Sequence, residues 1–322
     1  MNDSVSGRIL IANDGSEHSM QTVRYAAAIL DPNRFEMVLF HVATKVPESF
    51  IDFEKGAPAY KYRLVSVEDW EEQQRKAVQG FMAKAEAILL DAGFKNEAIT
   101  IRIDDRKIGI ARDIAAESRN GYKALVVGRR GLSDLKDFML GSVAAHVVGF
   151  VPISVWIVGA RRPPAKFLAC LDGSEASMVA LTYLADMLDT SKSFEITLFH
   201  AVHSFHGFRN FMREVFSLQE DKTAIAKMDS ELDQAAALLE PSFEKARAIL
   251  ASRGVDPARI NQKVARGASN AAHAIIEEAE KGEYDTIVVG RRGLSQFEEF
   301  MMGRVSNKVI HMAKDKTVWV VC

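Results

Sequence analysis

The sequence predicts two tandem α/β domains, each a doubly wound fold on a five-stranded parallel sheet, and three observations carry that prediction. A chain of 322 residues suits two domains of ordinary size better than one. Segments of it repeat in one order. VVGRRGLS stands at 126–133 and again at 288–295, Asp14-Gly15-Ser16-Glu17 returns as Asp172-Gly173-Ser174-Glu175, and Leu39-Phe40-His41 returns as Leu198-Phe199-His200. The offset is 158 residues between Asp14 and Asp172 and 162 between Gly128 and Gly290, so a duplicated domain explains the repeat. Within each copy, short apolar runs alternate with helical periodicity, the pattern of a parallel sheet covered on both faces. The expected domains are residues 1–160 and 166–322. The paired prolines of Ala160-Arg161-Arg162-Pro163-Pro164-Ala165 favour a stiff extended link between them.

The elements of the first copy follow in order. Ile9 to Asn13 is a short apolar strand ending in Asp-Gly-Ser-Glu. Ser16 can cap the next helix, whose apolar residues Val23, Ala26, Ala27 and Leu30 fall at helical spacing. Phe35 to Val42 is the second strand. After a polar excursion, a long helix is expected from about Val67 to Asp91, stopped near Gly93. Ile99 to Ile103 is the third strand, Ile108 to Ser118 a helix, Ala124 to Val127 the fourth strand, Gly141 to Val148 the last helix and Ile153 to Val158 the fifth strand. The second copy repeats this through Val318-Trp319-Val320-Val321. A ligand crevice is expected at the carboxyl ends of the strands, where the strand order reverses.

Composition narrows the function classes. With 41 basic residues against 43 acidic, charge gives no reason to expect nucleic acid or an anionic membrane as partner. Two cysteines, Cys170 and Cys322, make no disulfide framework. Neither a signal peptide nor a bilayer-spanning run is read, so a cytoplasmic soluble protein is expected.

The chemistry is carried by Gly128-Arg129-Arg130-Gly131, followed after nine residues by Gly141-Ser142-Val143. The first glycine follows the fourth strand directly, at the crevice edge, where backbone unencumbered by a side chain can approach a ligand closely. Gly141-Ser142 opens a helix whose unpaired N–H groups and dipole favour an anion. A lone G-x-x-G is usually an ordinary turn; the full spacing, after a strand and in both copies, points to a polyphosphate cradle. Asp14, closing the first strand, either reaches into the same crevice or merely begins the turn into the first helix.

Strand-Asp-Gly-Ser, then Leu-Phe-His-Val, then G-x2-G-x9-G-S resembles the universal stress protein family in its ATP-binding branch, over nearly the whole chain and twice. The resemblance implies strand order 3-2-1-4-5, and pairing of the two halves about a pseudo-twofold axis through their apolar fifth strands. It implies adenine nucleotide (ATP, or ADP or AMP) in the crevice, with Mg²⁺ held through the phosphates. Asp14 and Val42 would contact the adenine and ribose, and Gly128, Gly131, Gly141, Ser142 and Val143 the ribose and phosphates, with Arg129 counted among the binding residues as a loop charge. In the second copy Asp172, Gly290, Gly293 and Gly303 match. Arg304, however, stands where the motif wants Ser or Thr, and Ala201 stands opposite Val42. Arg304 either binds phosphate through its guanidinium or fills the site with its bulk. Asp105 stands where the second copy has Gly267, so the loop before that helix is expected to sit differently in the first half.

No G-x-x-x-x-G-K-[ST] is present, so the lysine that neutralises a transferring phosphate is missing and slow or absent ATP hydrolysis is expected. The loop arginines Arg129, Arg130, Arg291 and Arg292 are expected to be exposed and solvated. The leading reading is therefore a nucleotide-dependent stress-response or signalling protein with an unidentified protein partner. Its rivals are a slow ATPase or phosphotransferase and a nucleotide-free scaffold for a protein or lipid. His200, His203 and His206 are spaced by three, yet His200 repeats His41 and no carboxylate or cysteine pattern accompanies them, so no metal site is assigned. The segments 47–67 and 204–223, the second rich in Phe205, Phe208, Phe211, Met212 and Phe216, read as a flap or a partner surface. Further pairing of whole chains is left open.

Overall fold

The computed structural model describes residues 7–44, 67–131, 140–159, 162–203, 237–268, 270–292 and 302–322. The flaps over 45–66 and 204–236, Gly293 and His206, and part of the interdomain link lie outside them.

Each half opens on a buried strand, β1 (Gly7–Ala12) or β6 (Lys166–Cys170). A glycine in the left-handed region, Gly15 at φ +81° and Gly173 at φ +78°, then turns the chain into a helix. Ser16 and Ser174 cap the helices α1 (Glu17–Ile29) and α5 (Glu175–Met187), their hydroxyls accepting from the Ser19 and Ser177 N–H groups. The first half continues as β2 (Phe35–Ala43), α2 (Val67–Asp91), β3 (Ile99–Asp105), α3 (Ile110–Glu117), β4 (Tyr122–Gly128), α4 (Ser142–Phe150) and β5 (Ser154–Val158). The second continues as β7 (Glu195–His203), α6 (Glu240–Ser252), β8 (Ile260–Ala268), α7 (Ala271–Lys281), β9 (Thr286–Gly290), α8 (Arg304–Met312) and β10 (Thr317–Val321).

Within each half all the strands pair in parallel, and the ten form one sheet, β3-β2-β1-β4-β5-β10-β9-β6-β7-β8. The order 3-2-1-4-5 is thus present in the first half and mirrored in the second. The two meet through the antiparallel pair β5–β10, with Trp156 opposite Trp319. Every residue of both strands is buried, so the apolar edges anticipated from sequence cover one another. One core, under α1, α2, α5 and α6, holds Ile9, Ile11, Trp156, Phe167 and Trp319; the other, under α3, α4, α7 and α8, holds Leu10, Val155, Ile157, Leu168 and Val320. Each core runs unbroken across both halves because successive strand residues face opposite sides.

At the centre the Trp156 and Trp319 rings stack with centroids 4.0 Å apart and planes within 2°. Each indole N–H reaches a tyrosine from the other half: Trp156 donates to the Tyr183 hydroxyl at 3.1 Å and Trp319 to Tyr25 at 2.9 Å. Tyr25 also shares a 2.7 Å bond with Thr286. Burial raises both phenols, so they stay neutral hydrogen-bonding groups.

Candidate functional site

Between β1 and β4, where the order reverses, the first half opens a cavity of about 280 Å³ at the carboxyl ends of the strands. That lies close to the lower end of the range of roughly 300–1,000 Å³ for small-molecule sites. Its lining includes Asp14, Val42, Gly128, Gly131, Gly141, Ser142 and Val143, which the fold brings together from four separate stretches of chain.

Asp14 serves both roles left open by the sequence. One carboxylate oxygen accepts the Ser16 N–H at 3.0 Å and so fixes the turn. The other lies against Gly131, where an added Cβ would sit 2.6 Å from it and would push the carboxylate aside. On the far side, the Arg129 carbonyl accepts the Gly141 N–H at 2.9 Å and places the start of α4 against the crevice. Gly141 offers no capping side chain, and Ser142, Val143 and Ala144 of the first turn line the cavity. First-turn N–H groups have no intrahelical partner, which suits an anion.

Asn13 is a residue the sequence reading missed. It is 3% exposed and lines the cavity. Its Oδ1 accepts both the Gly15 N–H at 2.9 Å and the Ser19 hydroxyl at 2.7 Å, which leaves Nδ2 buried with no partner among the described residues. A buried donor left unsatisfied is costly, so this position fits a ligand acceptor. The second half has Leu171 here. The available signal was that difference between the repeats; attention to what the repeats share hid it.

His41 and His200 have a shared structural task. Their Nδ1 atoms bond the Asn13 and Leu171 carbonyls at 2.8 and 2.6 Å, tying the second strand of each half to the end of the first. No group of three His, Cys, Asp or Glu that could hold a metal occurs among the described residues, and the His203 side chain lies outside them.

The loop before α3 is organised differently in the two halves. In the second, the Asn270 side chain caps α7 by accepting from Ala272 N–H. In the first, the cap position is Gly109, and Asp113 from inside the helix accepts the Lys107, Ile108 and Gly109 N–H groups at 2.8, 3.2 and 3.3 Å. Burial pulls the Asp113 carboxyl upward, but those three bonds and the Lys107 charge outweigh it and hold the group below the usual carboxylate range. The stability it contributes is full above the unfolded carboxylate value of about 3.9 and lost as pH falls through the lowered folded value. Asp113→Asn is expected to cost about 1–3 kcal/mol at neutral pH and to flatten the acid limb of the stability curve. Denaturant melts from pH 7 to 3 check this, and an unchanged acid limb would refute it.

Arg129 is a correction. It does not line the cavity; it is 2% exposed and its guanidinium crosses to the second half, donating to the Ile310 carbonyl at 2.6 Å and to His311 at 3.2 Å. Burial, with Arg130 adding, pushes it down to about 10, against the pull of Asp315, so it keeps its charge at neutral pH. Arg291 does the converse and donates to Val151 and Val148 of the first half at 2.7 and 2.6 Å. The expectation of four solvated loop arginines therefore fails for these two. The fifth strands pair there and bring each loop onto the other half's last helix. Arg130 and Arg292 line the two cavities.

In the second half, Asp172, Ala201, Gly290, Gly303 and Arg304 line a cavity of about 580 Å³. Asp172 Oδ1 accepts the Ser174 N–H at 3.0 Å and its hydroxyl at 2.5 Å. Arg304 is exposed, so its bulk stands at the rim and leaves the cavity open.

An open parallel sheet with a glycine-lined helix start over its switch point defines each half as a doubly wound α/β domain with a crevice at the carboxyl ends of its strands. The model of the universal stress protein family matches residues 6–159 and again 165–321, and the chain belongs to that family. A universal stress protein of Mycolicibacterium smegmatis is 26% identical over 314 residues, covering 95% of this chain and 94% of that one. One from Synechocystis sp. is 28% identical over 155 residues, 47% of this chain and 97% of its own. The crystal structure of a universal stress protein from Archaeoglobus fulgidus covers 99% of this chain and 98% of its own, at TM-score 0.59 and 18% identity, a likeness of fold. No helix among the described residues is long and apolar enough to cross a membrane.

Proposed function

We propose that the first domain binds an adenine nucleotide, ATP or else ADP or AMP, and that the protein acts as a nucleotide-dependent stress-response or signalling protein. The observation that carries the reading is the buried Asn13 Nδ2, without a partner among the described residues, in a crevice that also presents the uncapped start of α4. The donor suits the base or ribose, and the helix N-terminus suits the phosphates. Asp14, Val42, Gly128, Gly131, Gly141, Ser142 and Val143 share the lining. Mg²⁺ would be held mainly by the phosphates, since Asp14 is the only carboxylate lining this cavity among the described residues. One oxygen of that carboxylate is engaged by the turn, and Arg129 is turned away. The other ionisable groups lining the cavity among the described residues are Arg130, a charge and no base, and His41, whose Nδ1 is held by the Asn13 carbonyl, a set that favours slow over efficient hydrolysis. The second domain, with Leu171 for Asn13 and Arg304 at its rim, is the weaker site.

Calorimetric titration of Mg²⁺–ATP into the nucleotide-free protein tests this, beside Asn13→Leu, which installs the residue the second domain carries at this place. The variant is expected to lose about 1 kcal/mol of binding at the tighter site, about fivefold in Kd. No heat of binding in the unaltered protein would sink the nucleotide reading.

A further inference from the structure

Arg129 and Arg291 each make two attachments, and together the four form a closed ring. The backbone of Arg129 holds the start of its own domain's last helix, Gly141 N–H to Arg129 O at 2.9 Å, while its side chain holds the end of the other domain's last helix at Ile310 and His311. Arg291 repeats this in reverse. Its carbonyl accepts the Gly303 N–H at 2.8 Å at the start of α8, and its side chain grips Val148 and Val151 at the end of α4. The backbone N–H groups of Arg129 and Arg291 are fixed too, on Val158 of β5 and Val321 of β10 at 2.9 and 2.6 Å, the two strands that join the domains. The ring therefore runs Arg129, α4, Arg291, α8 and back, and the starts of both helices are the cradles of the two crevices.

We propose that Arg291 positions the anion cradle of the first domain and Arg129 that of the second, so that occupancy of one crevice is felt at the other. The proposal rests on the nucleotide reading for its ligand, though not for its geometry. A guanidinium on the last carbonyls of a helix satisfies groups that have no intrahelical partner and complements the negative end of the helix dipole. A helix of nine residues moves as a rigid body, so what fixes Val148 and Val151 also fixes Ser142. At the site the start of α4 is held close, with the Arg129 carbonyl accepting the Gly141 N–H and standing 3.1 Å from where a Cβ on Gly141 would be. A ligand that draws the start of α4 toward itself pulls on the Arg291 side chain, and through its backbone on Gly303 at the other cradle. Coupling of this kind is reciprocal by thermodynamic necessity. The duplication explains why the device lies within one chain: each arginine is supplied by the copy whose cradle it does not position.

The test is the crossed effect of Arg291→Met, a change in the second domain read at the first. Met and Lys have similar shapes, so Arg291→Lys is read beside it to separate charge at the helix end from filled space. In calorimetry with Mg²⁺–ATP, Arg291→Met is expected to weaken the tighter, first-domain site about fivefold, the low end of measured site-to-site coupling. Arg291→Lys should recover most of the loss. In the nucleotide-free protein, amide hydrogen exchange at Gly141 and Ala145, whose N–H groups are bonded to the Arg129 and Gly141 carbonyls, should be faster in Arg291→Met than in the unaltered chain. A Kd within twofold with unchanged exchange would overturn the proposal, as would equal impairment by Met and Lys. If Arg291→Met does not fold, Arg291→Lys is judged alone, and affinity and exchange indistinguishable from the unaltered chain overturn it. If the unaltered protein binds no nucleotide, the nucleotide reading fails by itself, and exchange at the start of α4 still decides whether Arg291 positions it.

Discussion

Trp319→Ala is expected to destabilise the chain by about 3–5 kcal/mol, the ordinary cost of emptying a fully buried aromatic site. Trp319 is 0% exposed, and its ring stacks on Trp156 and meets Phe167 and Tyr183 edge-on, so neighbours on every side lose contacts. Such aromatic pairs add about 0.5–1.5 kcal/mol beyond the area they bury. Tyr25 loses its indole donor but keeps Thr286, which limits the polar part of the loss. Because the two rings face each other across β5 and β10, Trp156→Ala should cost a similar amount, and the double variant less than the two costs added, since the stack is lost only once. Guanidinium melts measure all three. A loss below about 1 kcal/mol for Trp319→Ala would mean that the interdomain seam contributes little to the fold.

Much of this architecture can be read from sequence because duplication prints it twice. The strand from Ile9, the long helix from Val67 to Asp91 and the apolar runs at Val155 and Val318 fall where periodicity places them, with shifts of a residue or two at the ends. Seven of the eight first-domain residues assigned to a ligand converge on one cavity, because they end a strand, follow one in the loop or begin a helix at the same edge of the sheet. What sequence concealed depends on partners remote in the chain. Arg129 and Arg291 read as solvated loop charges, since nothing local shows that the end of another helix, 181 or 140 residues away, will meet them. Asn13 was hidden because its meaning lies in a hydrogen bond it does not make. Asp113 stands three residues into a helix, where a carboxylate is commonplace, and only the fold shows it gathering the loop behind it.

Gly128→Ala should separate the two cradles most sharply. A Cβ at Gly128 would lie 2.9 Å from the Arg130 carbonyl and 3.3 Å from that of His18, and both are backbone atoms. Neither can swing aside as a side chain could, so the loop of Arg129 to Gly131 must move off α1. The matching glycine of the second domain, Gly290, has more room, with the Ala176 and Arg292 carbonyls both at 3.2 Å. Overpacking of this order costs about 1–3 kcal/mol where the surroundings are rigid. Gly128→Ala is expected in that range, and Gly290→Ala, with two backbone carbonyls at 3.2 Å, toward its lower end. The displaced loop carries Gly131 against Asp14 and the carbonyl that holds Gly141, so it disturbs both walls of the first crevice. Nucleotide affinity at the first domain should fall by about 1.4 kcal/mol or more, tenfold in Kd. Gly290→Ala, whose loop carries Arg291, should weaken that site by less, at most by the about fivefold expected of Arg291→Met. Calorimetry of the two variants under matched conditions decides it. Equal losses from both would show that the loop after β4 shapes the first crevice no more than the loop after β9 does, and no loss from Gly128→Ala would show that the loop after β4 does not shape the ligand site.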